Sequence, residues 1–269
     1  MQYVIKADGE AVRFKKNKIK KTLLKAGASR ELANFISNKI EHKFRKGMTT
    51  EQVLRYALKL LKKHKRPEVA YRYNLKRAIM SMGPAGFAFE EFISQLLKEY
   101  GYVTTTNNFL KGKNVDHEVD VIARKKLVGM VECKYHNHPG NKSDLKVAMY
   151  TYARFLDIKK RNKINYPWLI TNTKCTNHAI RYSLGVKQKI TGWLYPKGES
   201  LQELIVRKNL YPTTILGPVY GKIKDILSKN KILMCRDLIN PDLKILRNSG
   251  IKDRDLKNIS MQAKKICSF

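Results

Sequence analysis

The run Met82-Gly83-Pro84-Ala85-Gly86 constrains this chain more than any other feature. Glycine and proline together interrupt helix and strand alike, so a domain boundary is expected between residues 82 and 83. Upstream, extended runs over 3–6 and up to Phe14 flank Asp8-Gly9, which reads as a tight β-hairpin. Ile19, Leu23 and Leu24 then recur at helical spacing. Gly27 ends that helix, and Ser29 suits the N-cap of the next, over 31–44. Thr49 or Thr50 caps a third helix carrying Val53, Leu54, Ala57, Leu58 and Leu61, and Pro67 opens a fourth running to about Met82. Residues 1–82 therefore read as a hairpin plus helix bundle. Downstream the pattern alternates. A helix over 87–100, stopped by Gly101, precedes strands over 102–106, 115–123 and 127–135. After a loop come a helix from Ser143 or Asp144 to about Leu156, a strand over 167–171, a helix over 175–184 and a strand over 190–195. This order predicts an α/β domain over 83–211, a mixed sheet flanked by helices. Residues 212–269 read as a small helical region with apolar residues such as Ile223, Ile226, Leu227, Leu238, Leu243 and Leu246, its short helices separated at Pro241 and Gly250-Ile251.

Lys and Arg number 55 against 22 Asp and Glu, a formal net charge of +33. Like charges repel in a compact state, and a polyanion such as DNA offsets that repulsion. The charge is spread along the chain, so it points to no single patch. Hydrophobic residues make up 43% of the chain, enough for a core, which excludes a disordered basic tail. There is no apolar run of about 18–20 residues and no apolar core of a signal peptide near Met1, so a cytoplasmic protein with no membrane partner is expected. Cys133, Cys175, Cys235 and Cys267 form no CxxC pair; reduced thiols are expected rather than a zinc ribbon.

The chemistry lies in two neighbouring strands. Val119-Asp120-Val121 lies on one and Val131-Glu132-Cys133-Lys134 on the next. Side chains alternate along a strand, so Glu132 and Lys134 share a side while Val131 and Cys133 face apolar packing. If the strands pair as a hairpin, Asp120 comes beside Glu132. Two adjacent carboxylates need neutralising, and a hard divalent cation does so with oxygen ligands. The Cys133 carbonyl is a further oxygen, and Lys134 stands where it can orient a water and meet a phosphate oxygen. The competing reading is a cross-strand salt bridge to Lys134. Glu118 shares the Asp120 face as a candidate extra ligand, and His136 shares the Glu132 face, where it could contact a DNA phosphate or a water; each is also read as an ordinary surface group. His117, His136, His138 and His178 have no metal-binding helical spacing. Lys146, Tyr150, Tyr152 and Arg154 mix cations and aromatics on one helix, suited either to a DNA backbone or to solvent.

On Phe89-Glu90 in GFAFEEF, the HEVDV run containing Asp120, and Glu132-Cys133-Lys134, residues 83–205 resemble the PD-(D/E)xK nuclease superfamily, most closely the Mrr-type restriction endonucleases. The later run WLITNTKCTNHA is similar to the fourth core strand and second core helix of that fold. The resemblance implies catalysis by Asp120, Glu132 and Lys134, and metal binding by Glu90, Asp120, Glu132 and the Cys133 carbonyl, with Mg²⁺ or Mn²⁺ as cofactor. Val119 stands where the family name has proline, and Glu132 where many Mrr-type enzymes have glutamine.

VIKADGEAVRFKKNKI, GMTTEQV and AYRYNLKRAI resemble the ATP-cone, a nucleotide-sensing module, over about residues 3–80. The resemblance implies nucleotide binding by Lys6, Lys18, Thr49 and, in the closing helix, Lys76. Ala7 departs from the usual arginine, which removes one phosphate-binding cation. The two resemblances together imply a Mg²⁺-dependent endonuclease acting on double-stranded DNA and gated by ATP or dATP, with homo-oligomerisation open. A non-cleaving, nucleotide-responsive DNA-binding regulator and a structure-selective repair nuclease are the alternatives. NSGIKD in the C-terminal region is read either as the turn of a helix-hairpin-helix unit or as part of a packing cap on the nuclease core.

Overall fold

The computed structural model describes residues 2–83, 86–239 and 243–268. Pro84 and Ala85 of the expected boundary, Pro241 and the Leu243 side chain lie outside the described residues.

The N-terminal hairpin is β1 (Tyr3–Ile5) paired with β2 (Ala11–Arg13), its turn closed by Gly9 at φ +80°. Four helices follow it: α1 (Lys16–Lys25), α2 (Arg30–Lys43), α3 (Thr50–Lys63) and α4 (Pro67–Tyr73). The caps are those the sequence called for. Ser29 Oγ accepts from Leu32 N, and Thr49 forms a capping box with Gln52. Val4, Leu23, Ile36, Ile40, Leu61 and Val69 close one core.

The helix expected from Pro67 to Met82 is two helices. Asn74 separates α4 from α5 (Leu75–Met80). Val69 and Ala70 pack in the N-terminal core, whereas Leu75, Ala78 and Ile79 pack in the central one. The break at Asn74 falls where the chain passes from one core to the other.

The central sheet has strand order β3-β4-β5-β7-β9. Helix α6 (Phe87–Glu99) leads into β3 (Val103–Lys111), β4 (Asp116–Arg124) and β5 (Val128–Lys134), an antiparallel meander. The short β6 (Lys142–Ser143) and helix α7 (Leu145–Ile158) lead to β7 (Tyr166–Thr171), which is parallel to β5. Then come β8 (Lys174–Cys175), α8 (Asn177–Gly185) and β9 (Lys189–Thr191), the last parallel to β7. Phe89, Phe92, Ile93, Leu96 and Leu97 bury α6 on one sheet face; Phe155 and Ile158 bury α7 on the other against Val119, Ile122 and Met130. Each such side chain contributes about 1.5–3 kcal/mol by leaving water.

Three local expectations are corrected. β3 runs five residues past Thr106, because pairing with β4 carries it through polar residues; Asn107, at φ +54°, interrupts the pairing opposite Asp120. Cys175 is in β8, paired in parallel with β6, so α8 begins after Thr176, whose Oγ1 accepts from Ala179 N. β9 ends at Thr191, where Gly192 and Tyr195 close a tight turn.

Helix α9 (Leu201–Arg207), which the sequence pattern did not mark, ends the central domain, and the C-terminal region comprises α10 (Gly221–Lys229), α11 (Leu243–Asn248) and α12 (Asp253–Cys267), with two short 3-10 turns. Leu246, Ile251, Leu256, Ile259 and Ile266 join the α6 face in the central core. The packing-cap reading of the NSGIKD region therefore describes these contacts.

Candidate active site

Strands β4 and β5 pair from Arg124↔Val128 to Val121↔Val131 and then part, β4 staying with β3 and β5 with β7. Asp120 and Glu132 are the next residues on either side of this fork. The alternation of β4 breaks there too. Val119 packs on the α7 face and Val121 on the α6 face, although they are two residues apart. Asp120 sits at that irregularity, opposite left-handed Asn107. Its Oδ2 accepts from Cys133 N at 2.6 Å, which ties the two strands across the fork. Val131 and Cys133 face the core, as alternation required, and Lys134 is exposed at the strand end.

The site is electrostatically crowded. Burial, then the charges of Asp120, Glu118 and Glu132, push the Glu90 carboxyl up to about 7. Burial and Asp120 push Glu132 up to about 7, against the pull of Arg154 and Lys134. Asp120 is also raised by burial, but the Cys133 N–H and Arg154 favour its charge. Burial and mutual charge thus raise the proton affinity of the pair as a unit. Glu118 is exposed and acts on Glu90 and Asp120 by charge alone.

Glu132 has a second partner that the sequence did not signal. Arg154 of α7 turns inward, its Nη1 donating to Glu132 Oε2 at 2.5 Å and to the Glu118 carbonyl at 3.0 Å. Its Nη2 donates to the Tyr150 hydroxyl at 2.6 Å, while Nε is buried with no hydrogen-bond partner. Of the four residues considered for DNA, Arg154 is thus engaged within the site. Lys146 and Tyr150 are exposed on α7, and His136 is half-buried, its Nε2 3.0 Å from Ser143 Oγ.

Among the described residues, no three His, Cys, Asp or Glu side chains stand close enough together to hold an ion as placed. The donor chemistry of Glu90, Asp120 and Glu132 nonetheless fits a hard divalent cation: Asp120 and Glu132 raise the proton affinity of Glu90, Asp120 raises that of Glu132, and a 2+ charge relieves what protons now relieve. Glu132 would have to exchange Arg154 for the ion. The Cys133 thiol lies in the core and burial holds it protonated, so only its carbonyl remains as a ligand.

Two polar hubs escaped the sequence reading. Asp157 of α7 accepts from Asn114 N, Asn114 Nδ2 and Val115 N and pairs with His117 Nε2 at 2.9 Å, fixing the β3–β4 turn; its carboxyl is lowered to about 2, chiefly by His117. Asn172, just after β7, accepts from His136 N at 2.8 Å and donates to the His136 carbonyl at 2.9 Å. Neither lies in a pattern of charge or spacing that would mark it.

The four nucleotide candidates are divided. Lys6 and Lys18 line one small cleft with Thr50. The Thr49 hydroxyl is spent on its helix cap. Lys76 lies in an adjoining cavity that also includes Lys18; there its ammonium donates to the Asn172 carbonyl and stands 4.8 Å from the Trp193 ring centre.

A restriction-endonuclease-like mixed sheet, a fork of carboxylates and a lysine at its edge define the class. A family model agrees with it. Residues 2–81 match the ATP cone domain, 82–205 a restriction endonuclease family, and 211–267 the family described as AF1548-like, C-terminal. An uncharacterized protein of Archaeoglobus fulgidus is 39% identical over 175 residues, covering 65% of this chain and 99% of its own length. The crystal structure of a protein of unknown function, AF1548, matches with a TM-score of 0.62 at 37% identity, covering 68% of this chain and 99% of that one. The chain belongs to this AF1548-like family, and joins an ATP cone domain to a Mrr-type restriction endonuclease domain of the PD-(D/E)xK superfamily.

Proposed function

We propose that this chain is a divalent-metal-dependent DNA endonuclease whose activity responds to ATP or dATP bound by the N-terminal domain. The observation that supports it is the fork itself, where Asp120 and Glu132 flank diverging strands with Lys134 two residues on and Glu90 within electrostatic reach. Glu90, Asp120, Glu132 and the Cys133 carbonyl would hold Mg²⁺ or Mn²⁺, which supplies Lewis acidity at the scissile phosphate and a more acidic bound water. Asp120 is held in place by Cys133 N. The Lys134 ammonium orients the attacking water and faces the negative charge that grows on the phosphoryl oxygens. Hydrolysis forms one water-oxygen-to-phosphorus bond and breaks one ester bond, and the departing oxygen takes up a proton. Exposed Lys146 and Tyr150 of α7 approach the DNA backbone beside the site.

A non-cleaving regulator is the second reading, and one observation favours it: Glu132 is held by Arg154 rather than gathered with the other carboxylates. Plasmid cleavage separates the two. The native chain with Mg²⁺ is expected to cut, Asp120→Ala and Lys134→Ala to lose at least about a hundredfold in rate, and ATP or dATP to change the native rate. DNA binding without cleavage at any metal or nucleotide concentration favours the regulator.

A further inference from the structure

Where the N-terminal hairpin meets the central domain, a cleft of about 220 Å³ opens between them. One wall is the hairpin turn with α1; the other is the loop after β5 with the β6–β8 ribbon. The walls touch. A Cβ on Gly140 would lie 2.9 Å from the Ala7 carbonyl and Asp8 N.

Four lysines line the cleft, Lys6 and Lys18 from the N-terminal side and Lys142 and Lys174 from the nuclease side. Lys142 and Lys174 are direct register partners in the ribbon, and like charges placed opposite one another destabilise a strand pair. Burial lowers the Lys174 pKa, and the charges of Lys6, Lys18 and Lys142 lower it further against the opposing pull of Asp8, so the other three ammonium groups all reach Lys174. Asp8 alone among the residues lining the cleft is acidic, 3.7 Å from Lys142. Ala7 brings no cation to the turn, and Lys142 reaches it from the other domain.

We propose that this cleft is a composite polyphosphate site, in which the nuclease domain's Lys142 and Lys174 join Lys6 and Lys18 in holding the phosphate chain of a nucleoside triphosphate. It rests on the nucleotide reading above, and adds that the effector needs both domains. Several phosphate charges turn a repulsive cluster into an attractive one. The site also has a route to the chemistry. Ser143, next to Lys142, is buried and bonded to His136 at 3.0 Å; His136 N donates to Asn172, two residues before Lys174, and His136 lies two residues after Lys134. An effector that binds more tightly to one arrangement of the ribbon shifts the strand end carrying Lys134 by that difference in affinity.

The test is calorimetric binding of ATP, dATP and inorganic tripolyphosphate to the full chain, with duplex DNA titrated separately. Lys142→Ala/Lys174→Ala is expected to weaken ATP and tripolyphosphate by roughly tenfold or more. Lys142→Arg/Lys174→Arg, which keeps the charge, is expected to stay within about threefold. An alanine pair that binds ATP like the native chain, while Lys6→Ala/Lys18→Ala does not, overturns the composite site and leaves the nucleotide reading standing. An arginine pair as weak as the alanine pair overturns the charge basis. An alanine pair that loses duplex affinity but keeps ATP affinity assigns these lysines to the DNA backbone instead. A native chain that binds none of the three small ligands overturns both the site and the nucleotide reading.

Discussion

Glu90 and Glu132 carry opposite obligations in folding and in metal binding. Both carboxyls titrate near 7 in the folded chain, well above their ordinary value of 4.5. Between those values the unfolded chain has released protons that the folded chain keeps. Stability without metal therefore falls as pH rises from about 4.5 to about 7. A divalent cation competes with the same protons, so its stabilisation should be small at pH 5 and large at pH 8. Thermal melts in EDTA and in Mg²⁺ across this range check it. Glu90→Gln/Glu132→Gln is expected to flatten the EDTA curve and abolish the Mg²⁺ gain; a native chain with no Mg²⁺ gain at pH 8 would contradict the metal site. Arg154 tunes the balance, because its guanidinium lowers Glu132. Arg154→Ala should move the pH midpoint of metal-dependent stabilisation upward. The sequence displayed Glu132 through strand alternation and Asp120 through the pairing of neighbouring strands, whereas Glu90, on α6, came only with the family resemblance. It hid Arg154, since a cation in a mixed helix face gives no sign of whether it turns to solvent or inward.

Helix α5 joins the two functional units. Its Leu75, Ala78 and Ile79 belong to the central core although the chain reaches them through the N-terminal bundle. Tyr135 donates to the Met80 carbonyl at 2.7 Å, Thr214 to the Ala78 carbonyl at 2.7 Å, and Lys76 to the Asn172 carbonyl. Burial, then the charge of Lys174, pushes the Lys76 ammonium down to about 7, below its ordinary 10.5. Here the sign is reversed. Between about 7 and 10.5 the unfolded chain holds a proton that the folded chain has released, so stability gains from this group as pH rises. Melts from pH 7 to 9.5 should rise in the native chain and be flatter in Lys76→Met. A Lys76→Met profile identical to the native one would show that Lys76 stays charged at its carbonyl and Trp193. The break at Asn74 at this junction was not legible, because the apolar period continues through it. The β6–β8 ribbon was hidden for a related reason, because two-residue strands are set by their partners and not by their own sequence.

The sequence made the order of most helices and strands readable because each depends on nearby residues: caps at Ser29 and Thr49, a left-handed glycine at Gly9, an apolar stripe on α6. It could not show how the parts close on one another. The C-terminal helices complete the core under α6, and the N-terminal hairpin rests on the loop beyond Lys134. The net charge of +33 must be set against that whole assembly. Among the described residues, salt bridges to acidic side chains use Lys6, Lys16, Arg55, Arg66, Arg77, Lys142, Arg154, Lys231, Arg236 and Arg247. If the remainder serve a DNA backbone, affinity is governed by counterion release. The logarithm of the duplex association constant should then fall linearly with the logarithm of salt concentration, by about 0.9 for each phosphate neutralised. Measured in EDTA to prevent cleavage, a slope of about −5.4 or steeper corresponds to six or more contacts. Lys146→Ala should make it shallower by about one contact if Lys146 meets a phosphate beside the site. A native slope near zero would mean that the charge does not serve DNA, whereas a steep slope unchanged by Lys146→Ala would place the contacts on another face of the molecule.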